Sequence, residues 1–279
     1  MTASSTDAGG TTLAYSDTDT DTAAGLTLVL LHAFPLDREM WRPQLDALAG
    51  RARVLAIDLP GFGHSPVAAT PFTVDSAADA VAALLDAAGV AGRVVVGGLS
   101  MGGYVAMAFA RRHPDRLAGL ILADTRGEPD DDAAKQGRET MIALANTQGA
   151  AAVAERMLPK LLGEATRATR PDVVETVRRI AARQSAEGVA AALAALRDRP
   201  DANPGLDAVA VPTLILVGEH DAVTPPVLAS AMGARIWGSL VETIPAAGHL
   251  SNLENPEAFN AAVVEFLATV GPTTKPANT

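Results

Sequence analysis

The stretch VVVGGLSMGGYVAMAFA, residues 94–110, runs from an unbroken apolar segment through a glycine-flanked serine into a helix-spaced apolar pattern. A strand that turns sharply into a helix holds its corner residue in a strained conformation and exposes that side chain at the carboxyl end of the sheet. Residues two before and two after the corner must be small for the segments to pass, and Gly98 and Gly102 stand there. Ser100 is therefore the candidate nucleophile. The helix that follows aims its backbone N–H groups and positive end at the space above the serine. A GxSxG match is weak in a chain with 24 glycines, and the strand-to-helix context is what gives this one weight.

Further apolar runs lie on both sides: LTLVLL (26–31), RVLAID (53–58), LAGLILAD (117–124), PTLILVGE (212–219) and LVETIP (240–245). Continuous apolarity means that both faces of each strand are covered, as in a parallel sheet. Stretches such as DSAADAVAALLDAAG (75–89) and PEAFNAAVVEFLATV (256–270) have helical spacing with Asp or Pro at the entry. The alternation predicts an α/β fold. Residues 126–206 interrupt it with no strand signal and read as about four helices, a stretch too long for an ordinary crossover. The expected organisation is a discontinuous core of residues 1–125 and 207–271, a helical cap over 126–206, and flexible tails at 1–10 and 272–279. The tract 16–25 reads as a polar hairpin loop between the candidate strand TTLAY (11–15) and LTLVLL, and it lacks the Gly and closing Glu of a calcium loop.

A serine hydroxyl needs a base to take its proton and an acid to orient that base. Four of the five histidines suit simpler local roles: His113 ends a helix, His64 sits in a turn, His220 has no loop of its own, and His32 shapes the loop after a strand. His249, in AAGHLSNLENP (246–256), follows the last strand signal and is the expected base. Asp221, in LILVGEHDAVTPP (214–226), follows a strand and is the expected acid, with Asp124, after LAGLILAD, as the alternative. Two backbone N–H groups must hold a developing oxyanion, and Met101 and Phe34 are the candidates. Pro35 directs the loop HAFPLD and withholds a donor of its own.

The net charge of −10 and the lack of a basic cluster disfavour nucleic acid and anionic membranes. With no cysteine there is no disulfide, thiolate metal site or thiol nucleophile, and no other metal-ligand cluster stands out. No basic leader or membrane-length apolar run is present, so a soluble, cytoplasmic protein is expected. The expected partners are a small molecule and, at most, a second copy of the chain.

The motifs HAFPLDREMW, DLPGFGHS, GLSMGGYVA, GEHD and AGHLSNLENP give a chain that resembles the α/β-hydrolase superfamily from about Leu26 to Leu267. It looks like the branch of 3-oxoadipate enol-lactonases, small carboxylesterases and perhydrolase-like esterases. That resemblance implies a mostly parallel eight-stranded sheet with helices on both faces, an inserted cap, a Ser/His/Asp triad, a small-molecule ester or lactone as substrate and no cofactor. The family usually has His-Gly where this chain has His32-Ala33. Members with an aspartate nucleophile do not fit Ser100, whereas C–C bond hydrolases, lyases and catalytically weak ligand-binding homologues keep a serine and stay open. Pro35 is also what the perhydrolase-like members carry. Within the cap and its floor, Met157, Leu158, Trp41 and Phe62 are candidates for the substrate pocket or for packing, and Arg183 and Arg197 for holding a substrate carboxylate.

Overall fold

Successive residues of a buried strand point to opposite sides, so an all-apolar strand feeds two cores at once. The computed structural model, which describes residues 2–7, 10–18, 25–69 and 71–270, shows this division. Val29, Leu31, Val96, Leu122, Ile215 and Val217 enter one cluster, while their neighbours Leu28, Leu30, Val95, Ile121, Leu214 and Leu216 enter the other. Helices α2 (Val74–Ala87) and α3 (Met101–Arg112) cover the first face; α1 (Arg42–Ala47) and α11 (Pro256–Thr269) cover the second. Each fully buried large side chain, such as Phe109 on one face or Phe266 on the other, contributes about 1.5–3 kcal/mol.

The strands are β1 (Thr2–Asp7), β2 (Thr12–Asp17), β3 (Thr27–Leu31), β4 (Arg53–Ile57), β5 (Val94–Leu99), β6 (Leu117–Ala123), β7 (Thr213–Gly218) and β8 (Leu240–Ile244). They form one eight-stranded sheet in the order β1-β2-β4-β3-β5-β6-β7-β8. The pairs β1–β2 and β2–β4 are antiparallel and the rest are parallel. All parallel strands therefore end on one edge, where an α/β sheet binds its ligands.

Two expectations are corrected. Thr2–Asp7, read as part of a flexible tail, is an antiparallel edge strand paired in register from Thr2 opposite Asp17 to Asp7 opposite Thr12. Polar edge strands are held by backbone hydrogen bonds, so composition does not reveal them. The segment TTLAY does form a strand, but β2 pairs with β4 rather than β3, so β2 and β3 are not the two arms of a hairpin. Asp19 and Asp21 of that tract, and the tail 272–279, lie outside the described residues.

Between β6 and β7 the chain forms five helices where the sequence suggests about four: α4 (Asp132–Leu161), α5 (Glu164–Thr169), α6 (Pro171–Ala182), α7 (Ala186–Asp198) and α8 (Asn203–Leu206). α4 bends at Gly149, whose φ of 82° departs from the helix. Its first turn is capped by Asp131, which accepts from the Ala134 N–H, and α7 is capped by Ser185 in the same way. Short helices α9 (Pro226–Gly233) and α10 (Ser251–Glu254) follow β7 and β8. No helix among the described residues is long and apolar enough to cross a membrane.

Candidate active site

Ser100 occupies the corner between β5 and α3 at φ 55° and ψ −111°, a region that non-glycine residues rarely adopt. Two bonds hold the corner: its N–H donates to Ala123 O at 2.9 Å, and Thr125 Oγ1 donates to its carbonyl at 2.9 Å. A Cβ at Gly98 would strike the Gly102 carbonyl, and one at Gly102 would strike the Leu31 carbonyl, so both positions require glycine for close approach. Met101 opens α3, where a backbone N–H has no intrahelical acceptor.

His249 Nε2 lies 2.9 Å from Ser100 Oγ, and His249 Nδ1 lies 2.8 Å from Asp221 Oδ2. A carboxylate only accepts, so Nδ1 carries the proton and Nε2 faces the serine hydroxyl as an acceptor. Asp221 is almost fully buried. Its Oδ1 accepts from the N–H groups of Val223 and Thr224 at 2.8 and 2.9 Å, and Thr224 Oγ1 donates to Oδ2 at 2.7 Å. Burial raises its pKa, but the electrostatic pull and hydrogen bond of the His249 imidazole, together with the Thr224 bonds, outweigh burial and hold it below the ordinary carboxylate value.

The alternative acid, Asp124, does not reach the histidine. Its Oδ1 accepts from the Gly218 N–H at 2.8 Å, and its Oδ2 accepts from the Ser251 hydroxyl. Burial, reinforced by the nearby negative charge of Asp221, pushes its pKa well above the usual range. Two neighbouring acids are thus driven apart, Asp221 toward the anion and Asp124 toward the neutral acid, and the anion is the one on the imidazole.

The loop after β3 is pinned from several sides. The Leu36 N–H closes a turn onto Ala33 O at 2.9 Å, and the Phe34 N–H has no acceptor among the described residues. Phe62 stacks edge-on against both His32 and Phe34, at 5.2 and 6.1 Å between ring centres. Asp37 accepts from Arg183, just past the end of α6, and from Gln184, while Gln184 Oε1 accepts from the Gly63 N–H, so the helical insertion is fastened to two loops. His32 accepts from the Leu59 N–H through Nε2 at 3.0 Å and bonds Ala33 O through Nδ1 at 3.0 Å, which requires the neutral ring.

Burial lowers the His32 pKa from its ordinary value. The unfolded ring, titrating near 6.5, then binds a proton that the folded ring refuses, so the stability it supports is complete above about 6.5 and declines below it. Denaturant titrations at pH 7.5 and 5.5 are expected to show a larger loss for the wild type than for His32→Gln. Equal losses would contradict the assignment.

The pocket candidates separate. Trp41 and Leu158 are buried in the core, Trp41 against the Phe259 ring at 6.1 Å, and Phe62 supports the loop after β3. Met157 lines a groove of about 610 Å³ shared with Arg126, Met141, Leu193, Ala222 and Val223, beside the loop that bears Asp221. Arg183 is engaged by Asp37 and Glu39, and Arg197 by Glu139 and Asp198, so neither is a free cation for a substrate carboxylate. Thr224 and Thr125 are additional to the sequence reading. The pattern Asp-x-x-Thr, in which an aspartate accepts from backbone N–H groups two and three residues on, is the signal that could have revealed Thr224.

Sheet order, strained corner and the serine–histidine–aspartate row coincide with membership of a known class: the chain belongs to the alpha/beta hydrolase fold family, whose model matches residues 27–256. Among its relatives, a thermophilic esterase from Thermogutta terrifontis, solved with malate bound, superposes with a TM-score of 0.91 at 42% identity, covering 97% of this chain and 100% of the other. The enol-lactonase from Burkholderia xenovorans LB400 has a TM-score of 0.88 at 30% identity, over 95% and 100% of the two chains. The pimeloyl-[acyl-carrier protein] methyl ester esterase of Neisseria meningitidis serogroup A is 32% identical over 247 residues, 85% of this chain and 75% of that one. Fold family and relatives together place the chain among the hydrolases.

Proposed function

We propose that this chain is a serine hydrolase that cleaves carboxylic esters or lactones of small molecules through an acyl-enzyme. The observation that carries the reading is the unbroken row Asp221–His249–Ser100, with spacings of 2.8 and 2.9 Å, ending on a serine at positive φ. In the first step Ser100 Oγ attacks the acyl carbon while its proton passes to His249 Nε2. The Phe34 and Met101 N–H groups receive the negative charge that develops on the carbonyl oxygen. Collapse of the tetrahedral intermediate breaks the bond to the alcohol oxygen, which takes the proton from His249. In a lactone that oxygen stays tethered to the acyl group. Water then gives its proton to His249, attacks the acyl-enzyme, and releases the acid and a restored Ser100. Asp221 holds the imidazole in the tautomer each step uses. Residues 126–206 serve as a cap, and the groove beside Met157 accommodates part of the substrate. The esterase and enol-lactonase names of the relatives support the same chemistry.

The test is a panel of short- and medium-chain nitrophenyl esters beside simple and carboxylated lactones. Turnover of at least one ester or lactone, without added metal or organic cofactor, is expected. Failure across the whole panel would reject the reading.

A further inference from the structure

The cap and the loop of the proposed base meet at a side chain to which the Asp221–His249–Ser100 row gives no task. Glu254, the last residue of α10, is more than nine-tenths buried, and no Lys, Arg or His pairs with it among the described residues. All its neighbours at bonding distance are backbone donors. Oε2 accepts from the Gly163 N–H at 2.8 Å; Oε1 accepts from the Gly248 N–H at 2.9 Å and from the Leu250 N–H at 3.3 Å. Gly163 is the joint between α4 and α5 of the insertion, and Gly248 and Leu250 flank His249 on either side.

Other contacts tighten the same junction. The Leu250 N–H also donates to Leu161 O, at the end of α4, at 3.1 Å. A Cβ added at Gly248 would lie 2.5 Å from Gly163 N, so the two backbones touch with no room for a side chain. A carboxyl group with two acceptor oxygens suits this place because both oxygens face donors. An amide would turn its NH₂ toward an N–H.

We propose, on the footing of the hydrolase reading above, that Glu254 is a positioning residue that ties the alignment of His249 to the seating of the cap. One oxygen sets the backbone on both sides of the base and the other sets the joint of the cap, through a group only one carboxylate wide. When the cap lifts at Gly163, the carboxylate loses its third donor and the base loop loses its fixed anchor. The enzyme is then fully competent only with the cap seated.

Glu254→Gln keeps the shape of the side chain and is the informative variant; Glu254→Ala removes both links. Two readouts apply. In a Ser100→Ala background, amide hydrogen exchange of the segment around Gly163 and of the segment Gly248–Leu250 needs no turnover. Both segments are expected to exchange faster in the Gln variant than in its parent. In the active background, kcat on a nitrophenyl ester is expected to fall on the order of 10- to 100-fold, the size of a misplaced catalytic group, with the acidic limb of the kcat–pH profile displaced. Faster exchange with unchanged kcat and pH profile would overturn the positioning role. Lower kcat with unchanged exchange at Gly163 would overturn the link to the cap. A wild type that cleaves no ester or lactone would reject the hydrolase reading instead, and the exchange data would still decide whether the carboxylate joins the two segments.

Discussion

Asp221→Asn is expected to lower kcat on a nitrophenyl ester on the order of 10⁴-fold, whereas Asp124→Asn stays within a few-fold of the wild type. The difference follows from what surrounds each carboxyl. Asp221 Oδ1 is committed to two backbone N–H groups, so the asparagine oxygen takes that place and the NH₂ takes the place of Oδ2. That NH₂ faces His249 Nδ1, which can then only accept, and the ring proton moves to Nε2. A histidine protonated toward Ser100 cannot take the hydroxyl proton. Burial raises the Asp124 pKa, so an uncharged asparagine suits that place, keeping the bond from Gly218 through its oxygen and donating to the Ser251 hydroxyl through its NH₂. Because a raised folded pKa removes stability as pH rises above the ordinary carboxylate range, Asp124→Asn should not weaken the fold at neutral pH. Steady-state kinetics with thermal melts on both variants check this, and a reversed order of effects would exchange their roles.

Ser100→Ala is expected to have the larger effect, on the order of 10⁶-fold in kcat, with residual rate left to the oxyanion donors and binding alone. The deletion removes one oxygen and no packing. Its positive φ is the one feature that alanine tolerates poorly, so any shift in melting temperature is expected to be small beside the kinetic loss. A residual rate near that of the wild type would remove the nucleophile from the account.

How far these residues could be read from the sequence differs case by case. Ser100 and His249 were legible because the strain of a strand-to-helix corner and the exposure of a loop after a final strand leave local signatures, in Gly98, Gly102 and Gly248. The sequence ranks Asp221 ahead of Asp124 without excluding the latter, since both follow strands that end on the same edge of the sheet. What divides them is a pair of backbone donors and Thr224 on one side and Ser251 on the other, contacts set by folding. β1 was missed because Thr2–Asp7 contributes backbone bonds and no apolar face that composition could flag. Trp41 reads equally as pocket or core until Phe259, far along the chain, is seen to pack against it. Glu254 was hidden for a related reason: before Asn255-Pro256 it looks like an acidic residue at a helix start, and its three donors come from segments near residues 163 and 248–250.

The central claim is that the Ser100 hydroxyl is made reactive by the groups beside it. Treatment with a fluorophosphonate at neutral pH, followed by mass spectrometry of the peptides, tests that claim directly. The wild type is expected to gain one phosphonyl group on Ser100, and Ser100→Ala none. A wild type that stays unlabelled, or that carries the group on another residue, would contradict it.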